Sequence, residues 1–188
     1  MRGKPFALAF IAIILLSFVY NPSFAQTKKT STLTAIEDTH VWAADRNYGS
    51  WETLIVDVDS AYAYLKFDLS GLPANISLTS ATLSLRTSAS RAIHETPISV
   101  HYCSDSSWRE MQITWNNKPS FDSRSLDSTK ILEQGLEVPS ISSSWYSWTV
   151  TATCQTALKN ANKLLTLVLV GEKTFDSRYE ETNYLPPF

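Results

Sequence analysis

Hydrophobic and polar positions alternate along most of this chain with a period of two. The run Ala61 to Phe67 sets small or charged residues against aromatic and aliphatic ones, and Ala81 to Arg86 alternates apolar with polar residues. In a strand, successive side chains point to opposite faces, so each run predicts a strand with one buried face. Ile98 to Tyr102 repeats the pattern, and Leu54 to Val56, Trp145 to Val150 and Leu165 to Val170 follow it more loosely. Turn signals separate these runs at Asn47-Tyr48-Gly49-Ser50, Ser70-Gly71-Leu72-Pro73 and Asn116-Asn117-Lys118-Pro119. A helical period occurs at Thr151 to Ala161, where Cys154, Ala157, Leu158 and Ala161 form one stripe behind Thr151 as N-cap. Ser120 to Ser144 is rich in Ser and Asp without a period, and reads as a long loop or weak edge. Short strands with a single short helix predict an all-β fold. The expected architecture is one antiparallel β-sandwich of jelly-roll type.

The N-terminus follows a different pattern. Arg2 and Lys4 precede an almost wholly apolar run from Phe6 to Val19, and Ser23-Phe24-Ala25 places small residues around a cleavage point before Gln26. These are the three regions of a secretory signal peptide, expected over residues 1–25. The run of about 14 residues is short of the ~20 that span a bilayer, and no second apolar run follows, so no transmembrane segment is expected in the mature chain. A retained signal anchor is the alternative. The folded domain is then residues 26–188, secreted or held at the cell surface.

Composition adds little until export is considered. The chain is 44% hydrophobic and 18% charged, an ordinary globular balance, and its net charge of −2 gives no support to a nucleic-acid partner. Six Trp, eight Tyr and eight Phe beside only two Cys exclude a cysteine-stapled mini-protein. In an oxidising compartment Cys103 and Cys154 could pair, closing a loop of about 50 residues and contributing roughly 4 kcal/mol on the entropic account. Two separate buried thiols are the other reading, since sequence does not supply the Cα separation that decides it.

The order of short motifs then suggests a family. Asp38-Thr39-His40-Val41, Asn47-Tyr48-Gly49, Tyr64 to Pro73 and Ser80 to Leu85 occur in the order that begins the DNRLRE domain family. Trp108-Arg109-Glu110, Ile113 to Pro119, Trp148-Thr149-Val150-Thr151 and Phe175-Asp176-Ser177-Arg178 continue it, so nearly all of the mature chain resembles that family. It is related to carbohydrate-binding module family ninety-six and to domains of archaeal disaggregatase-type surface proteins. The resemblance implies a non-catalytic polysaccharide-binding module. Thr149 and Cys154 depart from the pattern, and the chain stops at Leu185-Pro186-Pro187-Phe188 where the family continues into a last strand. A sandwich without that strand would carry an unpaired edge.

The residues themselves offer little catalytic chemistry. The three His show no HExxH spacing, no GxSxG elbow is present, and Asp57 with Asp59 are turn neighbours rather than carboxylates facing across a cleft. The chain is expected to be no enzyme, at most an accessory module of one. Sugars present C–H faces that stack on aromatic rings, with hydroxyls bonded by polar neighbours. Trp42 and Trp51 bracket the polar loop containing Arg46 and Asn47, and these four form the candidate binding site, with simple loop packing as the other reading of the two indoles; the family-motif positions of Trp108, Trp115 and Trp148 imply packing residues, and that of Tyr48 a buttress. Lys66, Arg86, Arg91 and Arg178 are candidate cations for an acidic, uronate-type polysaccharide; solvated surface charge is the competing reading. Asp38, Asp45 and Asn47 supply hard oxygen ligands for a structural calcium ion, the one cofactor suggested. The alternative function is structural, as a cell-envelope or matrix domain that contacts other envelope proteins.

Overall fold

The computed structural model describes residues 6–20, 27–73, 75–89, 96–131 and 145–172. Among the described residues ten strands and one helix are ordered β1 (Phe6–Tyr20), β2 (Thr27–Thr34), β3 (Glu37–Trp42), β4 (Thr53–Val56), β5 (Ala61–Asp68), β6 (Ser77–Ala89), β7 (Thr96–Cys103), β8 (Ser125–Ile131), β9 (Trp145–Thr149), α1 (Thr151–Ala157) and β10 (Leu164–Gly171). One five-stranded sheet has the order β2-β1-β6-β9 with β4 also on β1, and the other runs β3-β5-β10-β7-β8. Every ladder between these strands is antiparallel. The chain is therefore an all-β sandwich with one short helix. Among the described residues no helix is long and apolar enough to cross a membrane.

The period-two runs account for the packing. Ala63, Leu65 and Phe67 on β5, Leu165, Leu167 and Leu169 on β10, and Ile98 and Val100 on β7 turn inward against Leu83 and Leu85 on β6 and Trp148 on β9. Trp148 also donates from Nε1 to the Ile98 carbonyl at 2.7 Å, satisfying its one polar atom inside the core. The other face of the second sheet is not exposed. The loop 104–124 lies across it and forms a second cluster of Val41, Tyr64, Cys103, Trp108, Ile113 and Val168. Tyr64 closes this layer by donating its hydroxyl to the Pro119 carbonyl at 2.7 Å.

Several local expectations are revised. The helix ends at Ala157 rather than Ala161, and its N-cap is Val150 with no side-chain cap. The Thr151 hydroxyl instead accepts from the Ala81 N–H at 2.9 Å, joining the helix to β6. Ser125–Ile131 is an edge strand, while residues 132–144 lie outside the described residues. Cys103 and Cys154 are free thiols in two different clusters, so no disulfide joins them. Burial pushes the Cys103 thiol up to about 11 and the Cys154 thiol up to about 12, which leaves both protonated. The apolar N-terminal run is β1, paired with β2, β4 and β6. The expected loss of a final strand concerns residues beyond Glu172, outside the described ones.

Candidate functional site

The loop from β3 to β4 is built around Tyr48. A turn folds back on β3 through the Trp42–Arg46 bridge, with Asp45 in the left-handed region at φ 44°. Tyr48 is buried, with Trp42 at 6.1 Å and Trp51 at 5.1 Å between ring centroids. His40 stacks on Tyr48 at 4.5 Å and meets the Trp51 ring at 5.5 Å. The Arg46 guanidinium carbon lies 5.8 Å from the Tyr48 centroid, a cation over the same ring system. Trp51 keeps 38% of its surface exposed and Trp42 is half-buried. Four aromatic rings and one exposed cation thus share one end of the sandwich, with two indoles partly in solvent.

His40 is the unusual member. It is fully buried and neither ring nitrogen has a hydrogen-bond partner. Burial pushes its pKa down to about 4, because the charged form would lose its hydration without gaining a partner. The Thr53 backbone opposes the shift but reaches no hydrogen-bond geometry with either nitrogen. His101 is buried as well. Its Nδ1 donates to the Asp122 carbonyl at 2.8 Å while Nε2 faces the Ser99 hydroxyl at 2.8 Å. Ser99 is itself sealed beneath the sheet's covering layer, so the pair has no access to a substrate.

Two residues expected to touch a ligand are occupied elsewhere. Asn47 donates both amide hydrogens to the carbonyls of Glu110 and Ile113, at 2.7 and 2.8 Å, and its Oδ1 accepts from the Gly49 N–H. It pins the loop 43–50 to the loop 104–124. Gly49 lets the two backbones approach, since a Cβ there would stand 2.2 Å from the Glu110 carbonyl oxygen. Lys66, expected on an outward strand face, is 2% exposed under Trp108. Its ammonium pairs with Glu37 at 3.1 Å, donates to the Trp108 carbonyl, and sits 4.4 Å from the Trp108 ring centroid. Glu37 also accepts from Arg109 at 2.6 Å and from the Glu110 N–H at 3.2 Å. Lys66 is thus a fastener for the covering loop, and an uncovered strand pattern could not have revealed it.

The remaining candidates do not converge. Arg86 is exposed on β6 of the first sheet, and Arg91 and Arg178 lie outside the described residues. Asp38 and Asp45 stand at opposite ends of β3; Asp38 to Trp42 alone spans about 13 Å of extended chain, against ion–oxygen distances of about 2.4 Å. Asn47 spends its amide hydrogens on backbone carbonyls of the loop 104–124. No group of three or more His, Cys, Asp or Glu side chains among the described residues could hold a metal ion. Trp145, half exposed on β9 opposite Arg86, was not singled out because alternation does not say which face of an edge strand is covered.

A search of curated proteins returns no match. The family model for carbohydrate-binding module family 96 matches residues 29–184.

Proposed function

This chain belongs to carbohydrate-binding module family 96, and on that premise we propose that it binds an extracellular polysaccharide through Trp42, Trp51 and Arg46. A module of this kind binds carbohydrate and does no chemistry of its own. The observation that carries the assignment of the surface is the partly exposed Trp51 indole set edge-on against buried Tyr48 at 5.1 Å. Tyr48 holds the indole still, so little side-chain freedom is lost when a sugar ring stacks on it. Arg46 beside the same rings favours an acidic, uronate-type chain, which a guanidinium can bond through two parallel hydrogen bonds. The leader-like pattern of residues 1–25 supports export, and the resemblance to DNRLRE and archaeal surface domains supports a place in a larger cell-surface or enzyme-accessory assembly.

Affinity electrophoresis in gels containing a uronate polymer or a neutral glucan tests the proposal. Trp42→Ala with Trp51→Ala should abolish the retardation by the uronate polymer, and Arg46→Ala should weaken it while leaving the melting profile unchanged. Full retardation of the double variant would overturn the assignment. A wild-type chain retarded by no polysaccharide would instead favour the structural envelope role, with protein neighbours as partners.

A further inference from the structure

The segment that reads as a leader also fills a place in the sandwich. β1 lies between β2 and β6, pairing with β2 from Ile13–Thr34 to Tyr20–Thr27 and with β6 as far as Val19–Ser77. From Ile14 to Phe18 its residues alternate between the two sides of the sheet. Ile14, Leu16 and Phe18 enter the central core, opposite Leu83, Ala81 and Leu78 of β6, while Leu15 is 45% exposed on the outer side. Among the described strands, β2 and β4 have no sheet partner other than β1. Cleavage after Ala25 would therefore leave two strands unpaired and open the core along the flank of β6. The family match, beginning at residue 29, lies wholly downstream of this strand.

We propose that leader removal opens a strand-acceptor slot between β2 and β6, and that the exported domain takes into it an extended segment of a partner polypeptide. The register defines the occupant. It runs antiparallel to both neighbours, and at least three apolar residues at alternate positions replace Ile14, Leu16 and Phe18. Main-chain hydrogen bonds to two strands supply the attachment, and the alternating pockets supply the selectivity. The polar outer positions of the neighbours, Thr30, Thr32 and Thr34 on β2 and Ser80, Thr82 and Ser84 on β6, favour polar residues at the intervening positions of the guest. This inference rests on the export reading and is independent of which sugar is bound.

The test uses the full chain expressed with its own leader and recovered after export. Intact mass reports the N-terminus, and a melt with and without synthetic peptide reports the slot. The peptide spans Phe6 to Tyr20 with Ile13→Lys and Leu15→Thr for solubility, leaving Ile14, Leu16 and Phe18 unchanged. An N-terminus at Gln26 and a rise in Tm of about 5–10 °C with peptide at about one hundred times Kd are expected. The same peptide with Ile14→Asp and Leu16→Asp should give no rise. A processed chain that fails to fold alone but folds when the first peptide is present meets the same expectation. An exported protein that keeps Met1, or a processed one indifferent to the first peptide, overturns the proposal. Polysaccharide retardation measured on the same samples fails or survives separately, so the two readings are distinguishable.

Discussion

Replacing Lys66 by Met separates a structural cation from a ligand-binding one. Met keeps the unbranched stem beneath Trp108 and removes the charge and its donors. The charge-assisted hydrogen bond to the Trp108 carbonyl is lost, at about 1.5–3 kcal/mol. Glu37 loses one cationic partner but keeps Arg109 at 2.6 Å, so the cost falls below the roughly 3–5 kcal/mol of a buried pair broken outright. A net loss of about 3 kcal/mol follows from these ranges, equivalent to a drop in Tm of about 6–12 °C for a chain of this size. Urea unfolding gives the free energy, and affinity electrophoresis below both melting points gives the binding. The expected outcome is lowered stability with retained polysaccharide binding. Adding Glu37→Gln to Lys66→Met completes a double-mutant cycle that isolates the pair. Stability unchanged within about 0.5 kcal/mol, together with lost binding, would refute the buried-fastener account.

Four further outcomes are expected. Stability should fall as pH drops from 6.5 towards 4, because the unfolded chain protonates His40 first while the folded chain, with its pKa near 4, resists; the contribution reaches about 3 kcal/mol at the lower end, and urea titrations of His40→Phe should lack that part of the slope. Burial raises the Glu37 pKa, but the hydrogen bonds from Arg109 and Lys66 outweigh it and hold the carboxyl below its ordinary 4.5. Its contribution is therefore fully present above pH 4.5 and lost as pH falls through the lower folded value, a loss that Glu37→Gln should remove from acid-unfolding curves. Gly49→Ala should cost about 1–3 kcal/mol in urea unfolding by forcing the two loops apart, and an unchanged midpoint would contradict their close approach. Thiol titration should find both cysteines unreactive in the folded protein and both reactive in guanidinium, with a Tm indifferent to reductant; a single mass consistent with a cystine would overturn this.

The strands β4 to β7, β9 and β10 were legible because a half-buried sheet imposes a period of two on its own sequence, whereas β2 and β3 were not read as strands and residues 6–19 were read as a leader. Runs such as Ala61 to Phe67 carry that signature whatever surrounds them, and the buttress reading of Tyr48 came from its place in the family motif Asn47-Tyr48-Gly49; the structure buries its ring beside Trp42 and Trp51. Alternation identifies two faces but says nothing about what lies on the second. Lys66 and His101 occupy the face that a lone sandwich would show to water, and the loop 104–124 buries both. Asn47 was read as a ligand donor for the same reason, since its carbonyl partners at 110 and 113 are more than sixty residues away.

Residues 6–20 mark the boundary between the two kinds of information. A leader and a buried strand ask for nearly the same composition, an unbroken apolar run, because a translocation channel and a sandwich core both exclude water. The amino-acid sequence by itself determined that its period-two runs become strands, that one helix interrupts them, and that aromatic residues gather in the turn after Trp42. The tertiary structure alone decided which faces are covered, which polar groups are spent on backbone carbonyls, and that the cysteines lie in separate layers. Those outcomes depend on contacts between distant segments, and a local period encodes the direction of a side chain without encoding what it meets.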